Sequence, residues 1–252
     1  MAEFTQFLDI LPSPTNPIGD AGQALAVGSG GKAGPGYASV KVDGEYKTTI
    51  DQTNSGRLVS RANAAHSWKI DITYNPMTRE EFSPIYSFLL ARHGRLKPFY
   101  VQLPQHATSQ TTGFTKVLQT FNGSDSDGTY SGYAAGKTWF TVDNPVYDSA
   151  TDGYVLPGDM FWISDTTNTN HTKAYKITRV ETNADYNSNV GSQPATNHLR
   201  LHFTPQLQKF TANNSTIIYN DPKIKVIMTD LISYQLKTDN LYVFNLTLEE
   251  VQ

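Results

Sequence analysis

The sequence predicts a mostly β protein with one helix, built in two parts, and three observations carry that prediction. Fourteen Tyr and twelve Phe occur among abundant Thr, Asn, Ser and Gly, a mixture that suits half-buried pleated surfaces joined by polar turns. Two stretches far apart in the chain, around Trp68–Tyr74 and Tyr242–Leu248, alternate apolar and polar residues with period two. Between them, short apolar bursts are separated by turn-forming residues, the pattern of a small barrel or sandwich.

Residues 1–65 hold few strong periods. Pro12, Pro14 and Pro17 come early and a Gly/Ala/Ser-rich run spans Gly28–Gly36, so this region reads as an extended arm and a loop, with a short strand at Ala38–Val42. The segment from His66 to Leu103 is the clearest. Trp68, Ile70, Ile72 and Tyr74 alternate with Lys69, Asp71 and Thr73 as a half-buried strand, which Asn75-Pro76 ends. A helix follows with two readable starts: a capping box formed by Thr78 and Glu81, or Ser83 as the cap with Pro84 in the first helical position. Because proline disfavours a helix running through it, the reading favours a regular helix from Pro84. Phe82, Ile85, Phe88 and Leu89 form its apolar face, Arg92 and His93 occupy its last turn, and Gly94 stops it. A strand at Phe99–Leu103 completes a strand–helix–strand unit.

Residues 105–217 have a different texture, with strands at Thr138–Val142, Met160–Ile163, Tyr175–Val180 and Leu199–Phe203 and a turn at Leu156-Pro157-Gly158-Asp159. Long alternation then returns: Ile224, Val226 and Met228, then Leu231–Leu236, then a turn at Thr238-Asp239-Asn240 and a final strand of Tyr242, Phe244, Leu246 and Leu248 ending in Glu249-Glu250. The last stretch resembles the 66–103 unit in strand length and pattern. The expectation is therefore a discontinuous domain, 1–104 with 218–252, interrupted by an inserted domain at 105–217.

Charge and composition narrow the chemistry. Twenty basic and 23 acidic residues leave a net charge of −3, and no basic stripe appears, which argues against sequence-specific nucleic-acid binding. With no cysteine there is neither a disulfide framework nor a thiolate metal site. No long apolar run or leader pattern is read, so neither a membrane span nor a signal peptide is expected, and synthesis in the cytoplasm is.

Several motifs come close to known sites and fall short. Gly132-Tyr133-Ala134-Ala135-Gly136-Lys137-Thr138 resembles a phosphate loop but has three residues between its glycines, with Ser131 where the first Gly belongs. Asp125-Ser126-Asp127-Gly128 hints at a calcium loop, yet Gly123 and Ala134 stand where ligands are needed. His198 and His202 have helical metal spacing but lie on a strand pattern, about 13 Å apart. No nucleophile elbow occurs, and the pairs Glu80-Glu81 and Glu249-Glu250 read as a helix-dipole partner and a solvated terminus. No catalytic residue, metal or cofactor is expected.

The stretch from Gly56-Arg57 through Trp68, Tyr74, Glu80/Glu81, Ile85, Phe88-Leu89, Gly94 and Phe99 resembles a pattern in bacteriophage distal-tail and minor-tail proteins. The closing strand Leu241–Val251 is similar to the last strand of the same domain. Leu156-Pro157-Gly158-Asp159, Tyr175–Thr178 and Leu201–Leu207 are similar to a barrel inserted in some of them. The resemblance implies a tail-tube-like β-sandwich with a flanking helix in a ring of six at the distal end of the tail. Its implied partners are copies of itself, the tail tube, the hub and the tape measure, and its implied location is the virion. The competing expectation is a carbohydrate-binding module of a phage tail, in which Trp139, Trp162 and Tyr154 would present aromatic faces to sugar rings.

Overall fold

A computed structural model describes residues 9–13, 36–121, 132–143, 153–165, 167–168, 171–185 and 198–251, without the side chains of 62–65. Most of the Gly-rich run and the acidic turn at 125–128 lie outside the described residues. In chain order the elements are β1 (Tyr37–Gln52), β2 (Leu58–Tyr74), α1 (Arg79–Ala91), β3 (Phe99–Gln102), β4 (Leu118–Thr120), β5 (Gly132–Tyr133), β6 (Trp139–Asp143) and β7 (Met160–Ser164). There follow β8 (Ala174–Glu181), β9 (His198–Thr204), β10 (Thr211–Ala212), β11 (Thr216–Ile218), β12 (Lys223–Met228), β13 (Tyr234–Leu236) and β14 (Tyr242–Glu250). The fold is mostly β, and the chain divides into two compact units: 1–102 with 225–251, and 103–224.

The first unit is built on a sheet in the order β1-β2-β14-β12-β3, with β13 paired to the start of β14. β14 lies antiparallel between β2 and β12, setting Leu246 opposite Ile72 and Leu248 opposite Ile70. Trp68, Ile70, Ile72 and Tyr74 are buried while Lys69 and Asp71 are exposed, the outcome that period-two patterning requires when one face is covered. Helix α1 contributes Phe82, Ile85, Phe88 and Leu89 to this core. A chain of aromatic contacts joins helix and sheet. The Tyr74 ring stacks on Phe244 at 4.5 Å, and the Phe82 ring stacks on Tyr242 at 4.5 Å and meets Phe244 edge-on at 5.7 Å.

The helix begins at Arg79 rather than Pro84. The Glu81 carboxylate accepts from the Thr78 backbone N–H at 2.8 Å and from its hydroxyl at 3.0 Å. This favours the capping-box start, and Pro84 removes only the hydrogen bond to the carbonyl of Glu80, an exposed residue whose oxygen water can serve. At the other end the left-handed turn starts at His93 (φ 52°) and continues through Gly94 (φ 68°). Arg92 is the C-cap, not a last-turn cation: it is buried, with its guanidinium 4.4 Å from the Phe88 ring centre and Nη1 2.5 Å from the Asp9 carboxylate.

Two further readings need correction. The short strand expected at Ala38–Val42 is the first part of a 16-residue strand pairing with a 17-residue partner, a hairpin closed at Thr53–Arg57. Its apolar pattern is weak because residues 46–61 are exposed on both faces, so no core imposes alternation there. Glu250 is buried rather than solvated, and its Oε2 accepts from the Trp68 backbone N–H at 3.2 Å.

The second unit is a closed six-stranded barrel, β11-β4-β6-β9-β8-β7, with neighbouring strands antiparallel all round the ring. Phe140, Phe161, Tyr175 and Phe203 meet one another at its centre, surrounded by Leu118, Val142, Ile163, Leu199, Leu201 and Ile217. The strands expected at 138–142, 160–163, 175–180 and 199–203 are present within a residue or so; β4 and β11, which close the ring, are three residues each and too short to carry a period. β5 and β10 form a separate two-stranded pair, where Gly132 has a purpose unrelated to phosphate: a Cβ there would lie 2.1 Å from the Thr211 carbonyl oxygen.

Candidate functional site

The segment with no core of its own is the β1–β2 hairpin. From Tyr37 to Tyr46 β1 pairs with β2 as the edge of the sheet. A register shift between Tyr46 and Thr48 follows, and beyond it the two strands continue without a third among the described residues. The tip is well made: Gly56 N–H donates to the Thr53 carbonyl at 2.8 Å, Thr53 N–H to the Arg57 carbonyl at 2.9 Å, and Gly56 takes φ 81°, which favours glycine. On this ribbon Ile50 and Leu58 are 66% and 69% exposed and Val59 is 49% exposed. Cross-strand pairing sets Ile50 and Leu58 on one face and Val59 on the other.

The two margins of the sheet differ. At β3, the chain's own residues close the side: Ile10 bridges Tyr100 in parallel, Leu11 N–H donates to the Tyr100 carbonyl at 2.8 Å, and Tyr100 N–H donates to the Asp9 carbonyl at 2.5 Å. β1 has no neighbour on its outer side among the described residues. Long edges with unpaired backbone groups are templates for pairing with another chain.

Among the described residues of the barrel, three polar clusters bear on chemistry. On the outer faces of β8 and β9, the fully buried Glu181 faces Arg200, which is 2% exposed, with Oε2 at 3.2 Å from Arg200 Nη1 and 3.2 Å from His202 Nε2. A register shift between Ile177 and Arg179 reverses the strand's parity, so that Glu181 lies opposite Arg200 instead of pointing into the barrel. The Arg200 guanidinium sits 4.8 Å over the Trp139 ring. The second cluster is the Asp159 carboxylate of the Leu156–Asp159 turn. It accepts from the Ser109 hydroxyl (2.9 Å), the Gln110 backbone and side-chain nitrogens (3.1 and 3.0 Å) and the Leu156 N–H (3.0 Å). Four donors fill it, making it a loop anchor.

In the third cluster, His171 Nε2 is 2.7 Å from the Tyr175 hydroxyl, whose oxygen also accepts from Gln208 N–H at 3.1 Å. Burial holds the His171 pKa down to about 4, outweighing the opposing pull of Asp165. The unfolded chain binds a proton there near 6.5 while the folded one resists until about 4, so acid favours unfolding. This group is expected to remove about 2–3 kcal/mol of stability between pH 7 and pH 4.5. Urea titrations at both pH values should show that His171→Gln loses this part of the pH dependence; an unchanged slope would exclude the assignment.

The residues singled out in the sequence fall as follows. Trp139 packs against the barrel core, its ring already carrying Arg200 and, at 5.6 Å, the Lys137 ammonium. Trp162 is half-buried in β7 and Tyr154 packs against the same core. In the phosphate-loop-like segment the Tyr133 hydroxyl donates to the Phe121 carbonyl at 2.8 Å, and the Gly136 N–H donates to the Leu207 carbonyl at 2.7 Å. His198 and His202 share the outer face of β9, the first 4.2 Å from the Phe121 ring and the second on Glu181. The Glu181–Arg200 pair and the ribbon escaped sequence reading; Thr53-Asn54-Ser55-Gly56, a turn signal between Thr48-Thr49-Ile50 and Leu58-Val59, was the cue for the ribbon. No family model matches the chain, and no curated protein matches it in sequence.

Proposed function

We propose that this chain is a non-enzymatic structural subunit of a bacteriophage tail, six copies of which form a ring near the distal end joining the tail tube to the hub or baseplate. The observation that carries this reading is the asymmetry of the sheet margins: one side is capped by residues 9–11, whereas 16-residue β1 has no partner on its outer side among the described residues. A head-to-tail interface that closes on itself covers such an edge in every copy. The pattern of Trp68 strand, capped helix and Phe99 strand supports the tail assignment through its resemblance to distal-tail and minor-tail proteins. In this reading the partners are copies of the chain and the adjoining tube, hub and tape-measure proteins, with no membrane and no nucleic-acid sequence recognised, and the protein resides in the virion.

Light scattering over a concentration series and negative-stain images provide the test. The expected result is a discrete species near six times 27.9 kDa that appears as rings. A strict monomer at every concentration, together with absence of the chain from purified virions, would remove the reading.

A further inference from the structure

Resting on the ring reading, we infer that the exposed tip of the β1–β2 ribbon in one copy docks against the β13 end of the sheet in another copy. Three observations lead there. The tip carries Ile50, Leu58 and Val59 in the open, and an isolated two-stranded ribbon is marginal in water, so this one calls for cover. A second apolar group in the same unit is also open: Leu231 at 95% exposure, Tyr234 at 49% and Leu236 at 52%.

These two groups cannot meet within one chain. β14 pairs with β2 from Asn245–Thr73 to Glu249–Lys69. β13 joins β14 at residues 242–244, past the Thr73 end, whereas the ribbon leaves past the Lys69 end. At roughly 3.3 Å per residue along β2, Leu58 lies on the order of 50 Å from the level of Tyr74. Opposite ends of one unit that each need cover are satisfied head to tail, tip of one copy on β13 of the next.

Charge agrees with this pairing. In residues 47–61, Lys47, Arg57 and Arg61 against Asp51 leave a net charge of +2; in residues 229–241, Asp230 and Asp239 against Lys237 leave −1. Opposite signs favour tip on β13 over tip on tip.

The absence of cysteine from the chain makes a direct test simple. Leu58→Cys and Leu236→Cys proteins, prepared separately, are mixed at concentrations where particles form and oxidised with copper–phenanthroline. The expected result is a 58–236 disulfide dimer, identified by peptide mass, in at least tenfold excess over either self-dimer, and a comparable loss of yield when Arg57→Glu and Arg61→Glu are added to the Leu58→Cys protein. Particles that form without the 58–236 link, or with 58–58 links dominating, would overturn the docking while leaving the ring reading intact. A chain that stays monomeric throughout would overturn the docking and, if it is also absent from purified virions, the ring reading as well.

Discussion

Glu181→Ala is expected to destabilise the barrel unit by about 3–5 kcal/mol, because it removes a buried carboxylate 3.2 Å from the buried Arg200 guanidinium. The geometry makes the effect large. Glu181 is wholly buried and Arg200 is 2% exposed, so water cannot replace the lost carboxylate without opening the barrel wall. Residual attraction to the Trp139 face, 4.8 Å away, offsets only a small part of the cost. A loss of this size in a unit of this length lowers the melting temperature by more than about 10 °C, measurable by scanning calorimetry. Glu181→Leu combined with Arg200→Met should recover most of the loss, since replacing both buried charges with apolar side chains removes the desolvation cost of each. A single variant within 1 kcal/mol of the parent would mean that the pair contributes little.

Phe82→Ala is expected to cost a similar ~3–5 kcal/mol in the sheet unit. Its ring is the junction of the aromatic chain, contacting Tyr86 at 5.2 Å, Tyr234 at 5.0 Å, Tyr242 at 4.5 Å and Phe244 at 5.7 Å. Truncation deletes four ring contacts and opens a void between helix and sheet, where each aromatic pair adds roughly 0.5–1.5 kcal/mol beyond burial. Near-UV circular dichroism should lose intensity, and guanidinium unfolding should shift to lower concentration. Unchanged near-UV bands would show that α1 is held by other contacts.

Much of this fold was legible because burial writes itself into alternation. β2 from Trp68 to Tyr74 and β14 from Tyr242 to Leu248 each have one covered face, and each was readable from period two. The burst strands of the barrel were readable for the same reason. What stayed hidden either had no buried face to reveal it, as in β1 beyond Tyr46, or was too short to show a period, as in the strands of two or three residues, β4, β5, β10 and β11. The extent of α1 was misjudged because the cost of Pro84 depends on whether the orphaned carbonyl meets water, a fact of solvent exposure rather than of residue identity. The Glu181–Arg200 pair was invisible for a related reason, since one irregular step between Ile177 and Arg179 decides which side of the wall Glu181 takes. Trp139 and Trp162 were correctly assigned to strands, but the cation resting on Trp139 comes from β9, about 60 residues further along.

The placement of β14 between β2 and β12 also has a consequence during synthesis on the ribosome. The barrel, residues 103–224, emerges complete while the sheet still lacks the strand that joins its halves. Until Tyr242–Glu250 leaves the exit tunnel, the nascent polypeptide holds two separated half-sheets, each showing a bare flank, Ile70 and Ile72 on one and Val226 and Met228 on the other. Premature termination after the barrel is complete but before that strand therefore yields a chain with a finished barrel and a sticky, unjoined remainder, a natural substrate for chaperones and proteases.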